Sequence, residues 1–307
     1  MLKNALLKKT MLKSVAAVAV LSMPCFASAP VELVYKFATD KPMAIEMVQE
    51  MTQDQNVQGQ SMQTSSVTTT RVKTKRVKLN EDGSVLINNT TESIKFTMSA
   101  PGMDMSYDST NPADESKLSD PTIASIAGLA GMKVQLLIAG DGTVLDVPNI
   151  GELKAKIDAM TDPAAKAGAS AMADKSSIIA NNEMNYKLMP SEAVEVGDEW
   201  SREFIIPFAM GSMTMNFDLT LDAVKSGIAS ISIDGTMSMA PIENQGVTIT
   251  MTSALVEGSI KFNIEEGTMD LMDMTTTMEM TGSMAAMPDP ILTMTMTQKV
   301  KSTRLAD

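Results

Sequence analysis

Six pairs of methionines are spaced two residues apart: Met103-Met105, Met213-Met215, Met237-Met239, Met272-Met274, Met278-Met280 and Met294-Met296. A thioether is a soft, uncharged donor, so such pairs can hold Cu(I) at any pH, and they can also be oxidised reversibly to sulfoxides. In an extended chain the same spacing has a plainer meaning, because residues i and i+2 point to one face. These methionines alternate with Thr, Ser and charge, and continue rows that elsewhere hold Phe217, Leu219, Ile249 or Leu292. A residue that takes turns with Leu and Phe supplies volume. Core packing is therefore the first reading. Cu(I) binding is the second, with Met272, Met274, Met278 and Met280 as its candidates, since Asp273 and Thr275 to Thr277 interrupt that apolar row most.

Little other chemistry is available. There is no histidine, and the single cysteine, Cys25, falls within an N-terminal leader, so the rest of the chain has no thiol, no disulfide and no Cys or His ligand for zinc. Serine and threonine abound, yet no G-x-S-x-G elbow appears and no histidine can act as base. Carboxylate pairs of the glycosidase kind meet only in three dimensions, and nothing in the order of the acids singles one out. Asp104, Asp108, Asp114, Glu115 and Asp120 lack the D-x-D-x-D-G spacing of a calcium loop and read as a solvated acidic loop. The expectation is a non-enzymatic protein with no cofactor.

The leader consists of Lys3, Lys8, Lys9 and Lys13 ahead of the apolar run V-A-A-V-A-V-L at residues 15–21, with Pro24 before small residues. That is a secretory signal, and at 15–29 it is shorter than the ~20 apolar residues of a spanning helix. The expected product is exported to the periplasm or beyond, with no transmembrane segment. Cleavage is expected after Ala27, since a cut after Ala29 would place Pro30 at the scissile bond. Met11 offers an alternative start. Lipoprotein anchoring through Cys25 is the less favoured alternative, because Pro24 stands where that signal takes a small residue. Without the four leader lysines, 21 basic residues face 37 acidic ones, a net charge of −16. Such a surface repels phosphates, which argues against a nucleic-acid partner.

The elements that must place the methionines follow from period-two alternation. Met213, Met215, Phe217, Leu219 and Leu221 occupy one phase, with Thr214, Asn216, Asp218 and Thr220 on the other. Shorter runs repeat this at Ile94, Phe96 and Met98, at Val247, Ile249 and Met251, and at Leu292, Met294 and Met296. Hairpin turns are expected at Asp82-Gly83, Asp141-Gly142, Ser226-Gly227 and Glu266-Gly267. Helices are expected at 122–131 behind Asp120-Pro121, at 153–160 behind an Asn149/Glu152 capping box, and from Asp162-Pro163 to about Met184. The basic run Arg71, Lys73, Lys75, Arg76 and Lys78 reads as a charged edge strand or a patch for an acidic partner. Trp200 reads as a packing anchor.

The fold class is mainly β (α+β): a long, curved antiparallel sheet or half-barrel with a helical insert. Its expected parts are the signal at 1–27, a first β half at 28–118, the insert with a short hairpin (133–147) at 119–184, and a second β half at 185–307. A two-fold repeat is an open alternative, since Tyr35-Lys36-Phe37 and Tyr186-Lys187-Leu188 each open a half with similar turns after them.

The ordered landmarks are V-Y-K-F at 34–37, a Met/Thr-rich strand, the D-G hairpin, G-D-G-T-V-L-D-V at 140–147, V-G-D-E-W at 196–200 and a final strand ending T-Q-K-V-K. Together they resemble an uncharacterised family of secreted bacterial proteins known only as a domain of unknown function. That resemblance implies compartment and fold and assigns no residue a role. The architecture is also loosely similar to envelope lipid-carrier half-barrels.

The leading functional expectation is a module that binds an apolar small molecule or lipid. Its site would be a Met/Leu/Ile-lined cavity between helix 122–131, with its ridge of Ile123, Ile126 and Leu129, and the sheet, represented by Met213, Met215 and Phe217. A structural or protein-interaction module of the envelope is the alternative, and a Cu(I)-binding protein the second.

Overall fold

In the computed structural model of the protein, residues 29–37, 41–160, 163, 166, 169–170, 174–208, 211–244, 246–284 and 290–306 are described. The expected leader at 1–27 lies outside them, as does most of the Ala-rich stretch after Pro163.

The fold is mainly β, as expected, and its core element is one 13-stranded antiparallel sheet that does not close. Strands β1 (Met43–Val57), β2 (Gln60–Leu79), β3 (Val85–Ala100) and β4 (Met103–Asp108) run as a meander. The short pair β5 (Lys133–Ile138) and β6 (Val144–Asp146) follows in mid-chain. The remainder are β7 (Glu199–Phe208), β8 (Gly211–Lys225), β9 (Ile228–Met239), β10 (Ile242–Asn244), β11 (Val247–Asn263), β12 (Thr268–Met284) and β13 (Leu292–Arg304). Across the sheet the order is β6-β5-β3-β2-β1-β13-β12-β11-β9-β8-β7, with β4 also on β3 and β10 on β11. The first and last strands therefore pair at the centre, Ile45 opposite Arg304 and Val57 opposite Leu292.

The turns follow their residue chemistry. Gly83 and Gly142 have φ of +82° and +87°, and in each turn the preceding aspartate caps the chain two residues on: Asp82 Oδ1 accepts from Ser84 N and Asp141 Oδ1 from Thr143 N, both at 2.9 Å. Those hydrogen bonds hold both carboxyls below the usual range, with the Ser84 hydroxyl the larger influence on Asp82.

Helix α1 (Pro121–Ala127) begins as expected, with Asp120 Oδ1 accepting from Thr122 N at 2.9 Å and Ile123 N at 3.2 Å. It ends earlier than 131, because Gly128 closes it and Gly131, at φ +74°, turns the chain so that its N–H reaches Thr91 O on β3. Helix α2 (Ile150–Asp158) forms without a capping box. Asn149 is buried, its Oδ1 accepts from Gln135 N at 2.8 Å and its Nδ2 donates to Lys133 O at 2.7 Å, so its side chain clips β5 instead of capping the helix. Helix α3 (Lys175–Tyr186) starts at Asp174, whose Oδ2 accepts from Ser177 N at 3.0 Å.

Two further expectations are corrected. The basic run is not on an edge: β2 lies between β1 and β3, and Arg71 and Lys73 both reach Glu92, at 3.2 and 3.5 Å. The acidic loop is only partly solvated. It contains β4 and a 3-10 helix (Pro112–Ser119), and Asp114 is buried where its Oδ2 accepts from Asp108 N at 2.8 Å and its Oδ1 meets Lys117 at 3.0 Å.

The repeat landmarks agree in their turns and differ at their openings. Asp82-Gly83 joins β2 to β3 as Ser226-Gly227 joins β8 to β9, but Tyr35 lies in an extended segment whereas Tyr186 ends α3. The two rings instead touch each other edge to face, centroids 5.7 Å apart.

Candidate functional site

Among the described residues, one face of the sheet, here the inner face, carries the buried apolar side chains of the strands. On the β7–β12 side, Phe217, Leu219, Leu221, Ile231, Ile233, Ile260 and Phe262 are at most 1% exposed and form one cluster with Met215, Met272, Met274 and Met278. On the β3–β6 side, Ile87, Leu136, Ile138 and Val144 pack beneath Leu153 of α2 and Ile178 of α3. Space for bulky side chains in the first cluster comes partly from Gly235, which lies opposite Phe217: a Cβ there would stand 2.6 Å from Phe217 Cδ1.

Between the clusters the sheet is open. Neither β1 nor β13 contains a buried residue, and β2 contains only Thr74. Met43, Ile45, Met47 and Met51 of β1 and Val72 of β2 belong to neither cluster and stay half-buried. These five line up on the inner face, because their partners across β13 and β2 are in register with the inward rows of β12 and β3.

A segment at 31–37 crosses one end of this open band. Val31 and Val194 exchange backbone hydrogen bonds at 2.8 and 3.0 Å, Leu33 is buried in the first cluster, and Lys36 N donates to Gly267 O at 2.8 Å. Tyr35 packs edge to face on Phe262 and on Tyr186, and Phe37 packs on Tyr186 and the second cluster. The Tyr35 hydroxyl donates to Asn185 O at 2.7 Å. Burial pushes both the Tyr35 and Tyr186 phenols up, so each ring is held neutral.

Beside this strap lies a cavity of about 550 Å³, lined by Tyr35, Phe37, Pro42, Met43, Thr74 and Gly267 together with Lys36, Lys41, Arg76, Arg304, Glu265 and Glu266. Arg304 is occupied: its Nη1 pairs with Glu266, donates to Thr268 Oγ1 at 2.9 Å and meets Asp270 at 3.2 Å. Lys36 Nζ donates to the Ile264 and Glu265 carbonyls, both at 3.3 Å. Arg76 stands opposite Ile87, a fully buried residue of the inner face, and its Nε is itself buried without a hydrogen-bond partner. The cavity can therefore accept a molecule with both apolar surface and hydrogen-bond acceptors.

The residues singled out from the sequence divide between separate places. Met215 and Phe217 are buried in the first cluster, with Met213 half-buried beside them. Ile123 is buried, while Ile126 and Leu129 are half-buried, and none of the three belongs to that cluster or lines the 550 Å³ cavity. Met272, Met274 and Met278 are 5–7% exposed in the core and Met280 is half-buried. The paired methionines come into register across strands. Met215 faces Met237, Met213 faces Met239, Met278 faces Met296, and Met251, Met280 and Met294 form one line through β11, β12 and β13. Among the described residues no group of three or more His, Cys, Asp or Glu could hold a metal ion, and no helix is long and apolar enough to cross a membrane.

The strap and Arg76 were missed from the sequence. A signal for Arg76 was present: Lys75 and Arg76 are adjacent, so in a strand they must face opposite ways, and one of the run's cations has to turn inward. A bulge between Arg76 and Lys78 then returns Lys78 to the face of Lys75.

No curated protein matches the sequence. Among solved structures, a chain of lipovitellin, from work on its lipid–protein interactions, superposes with a TM-score of 0.47 at 7% identity, covering 88% of this chain and 26% of that one. The chain thus spans about a quarter of the lipovitellin chain it is similar to. Pseudomonas aeruginosa OccK5 (OpdH) gives a TM-score of 0.28 at 5% identity over 88% of this chain and 100% of that one. The translocator domain of the Neisseria meningitidis autotransporter NalP gives 0.23 at 8% identity, over 87% and 90%. The model of a family of unknown function, DUF6263, matches residues 82–287, two thirds of the sequence, and the chain belongs to that family.

Proposed function

We propose that the protein is an exported, non-enzymatic binding module that holds an apolar molecule or lipid chain along the inner face of β1, β2 and β13. The observation that supports this reading is the uncovered centre of the sheet, where three strands of 15, 20 and 13 residues supply a single buried side chain between two closed cores. Half-buried Met43, Ile45, Met47 and Met51 would lose their remaining contact with water beneath a bound chain, at roughly 25 cal/mol per Å² of apolar surface. Flexible thioethers adapt to chains of varied shape. The absence of histidine, and of any cysteine beyond Cys25, supports the non-enzymatic part.

Native mass spectrometry of protein purified from its own cell envelope tests the proposal. A retained lipid or other apolar molecule is the expected result, and the Met47→Lys and Met51→Lys variants should lose it while keeping the wild-type unfolding midpoint to within a few degrees. Recovery of a bare chain that also fails to take up a fluorescent fatty acid would leave the structural module in front, and retained copper would favour the thioether reading.

A further inference from the structure

The open row on β1 has a polar end. Thr74 lies opposite Met43, and two residues further along β2 Arg76 stands where the row runs out into the 550 Å³ cavity. A second cavity, about 240 Å³, is lined by Arg76, Tyr35, Lys36 and Phe37 as well, so Arg76 and the strap border both spaces. A buried guanidinium N–H without an acceptor is costly, and of the acceptors at this end Glu266 is paired with Arg304 while the Ile264 and Glu265 carbonyls accept from Lys36. Four cations stand here against three carboxylates, Glu265 and Glu266 of the lining and Asp270 on Arg304, in a protein whose net charge is −12. This end of the inner face is thus a local reversal of the overall charge, next to two aromatic rings and a methionine.

We infer that the molecule held on the inner face carries an acidic group, a carboxylate or a phosphate, which docks against Arg76. The inference rests on the reading that the face holds an apolar chain, and it sets the direction in which that chain lies. Arg76 takes the acid between Tyr35, Phe37 and Thr74, and the chain runs from Met43 past Ile45, Met47 and the single amide of Gln49 toward Met51, a floor of about 26 Å at ~3.3 Å per residue. A guanidinium suits this role because it remains charged in an apolar site and offers donors in a plane that matches two acid oxygens.

The test is displacement of the neutral probe N-phenyl-1-naphthylamine from full-length protein expressed with its leader, using four compounds with the same sixteen-carbon chain. Palmitate and hexadecyl phosphate should displace the probe at concentrations about tenfold or more below hexadecanol, and the hexadecyltrimethylammonium cation should be weakest. Arg76→Met should erase the advantage of the two acids and leave hexadecanol unchanged, while Arg76→Lys should restore part of it. Equal affinity for palmitate and hexadecanol in the wild type would overturn the inference while leaving the apolar site standing, and this comparison needs no variant to fold. Failure of all four compounds to displace the probe would instead sink the binding reading itself. Inorganic phosphate competing as well as hexadecyl phosphate would assign Arg76 to a free anion and overturn the lipid headgroup.

Discussion

Replacing Gly267 by alanine should loosen the strap over the candidate site, and the expected cost can be built from the geometry. Gly267 sits in the β11–β12 turn at φ +62°, and a Cβ there would stand 2.5 Å from Lys36 Cγ and 2.6 Å from both Lys36 Cβ and N. The left-handed backbone alone costs a non-glycine residue about 1–2 kcal/mol. Relieving the contact means moving the Lys36 backbone, which breaks the 2.8 Å bond from Lys36 N to Gly267 O, a further ~1 kcal/mol. It also disturbs the Tyr35–Phe262 ring contact at 5.4 Å, of about 0.5–1.5 kcal/mol. The total is roughly 2.5–4.5 kcal/mol. Gly227→Ala is the matched control, because φ there is +77° and nothing lies within 4 Å of the added carbon, so only the backbone cost remains. Urea unfolding followed by Trp200 fluorescence measures both variants. A Gly267→Ala penalty no larger than that of Gly227→Ala would show that the strap is not held against this turn, and the account of how the cavity is built would fail with it.

Methionines of the closed and open regions should differ: Met278→Ala is expected to cost about 2–5 kcal/mol and Met278→Leu less than about 1.5, whereas Met51→Ala should cost under ~1 kcal/mol in the same urea assay. Equal penalties at the two positions would mean that the centre of the sheet is as closed as its flanks. The buried phenols of Tyr35 and Tyr186 are raised above the unfolded value near pH 10, so the stability gained by keeping them neutral is complete below that pH and declines as pH rises beyond it, by up to ~1.4 kcal/mol per unit for each ring. Tyr186→Phe should flatten the decline measured between pH 9 and 11, and an unchanged slope would count against burial as the cause. Removing the cap with Asp120→Ala should destabilise α1 by about 0.5–2 kcal/mol, read as faster amide exchange at Thr122 and Ile123; exchange as slow as in the wild type would show that the cap does not hold the helix.

Local patterns in the sequence were sufficient for the strands, their inward phase, the Asp-Gly turns and the Asp120 cap, because each depends on neighbours within a few residues: Met213 to Leu221 alternates on β8 as its composition requires, and Asp82-Gly83 turns where only glycine adopts a positive φ cheaply. Partners further along the chain were not legible. Alternation says which side chains share a face and not which strand lies alongside, so the meeting of the first and last strands at the centre of the sheet, and the alignment of Met251, Met280 and Met294 across three strands, are tertiary facts. Asn149 misled for the same reason, since a residue that could cap its own helix found a stronger use clipping the backbone at Lys133 and Gln135. The candidate site is the furthest case. It exists because the strap brings Tyr35 and Phe37 over Arg76 and the β11–β12 turn, and because neither core reaches β1. Both depend on how two separated halves of the chain divide the space above one sheet, a choice made by packing and not by any single segment.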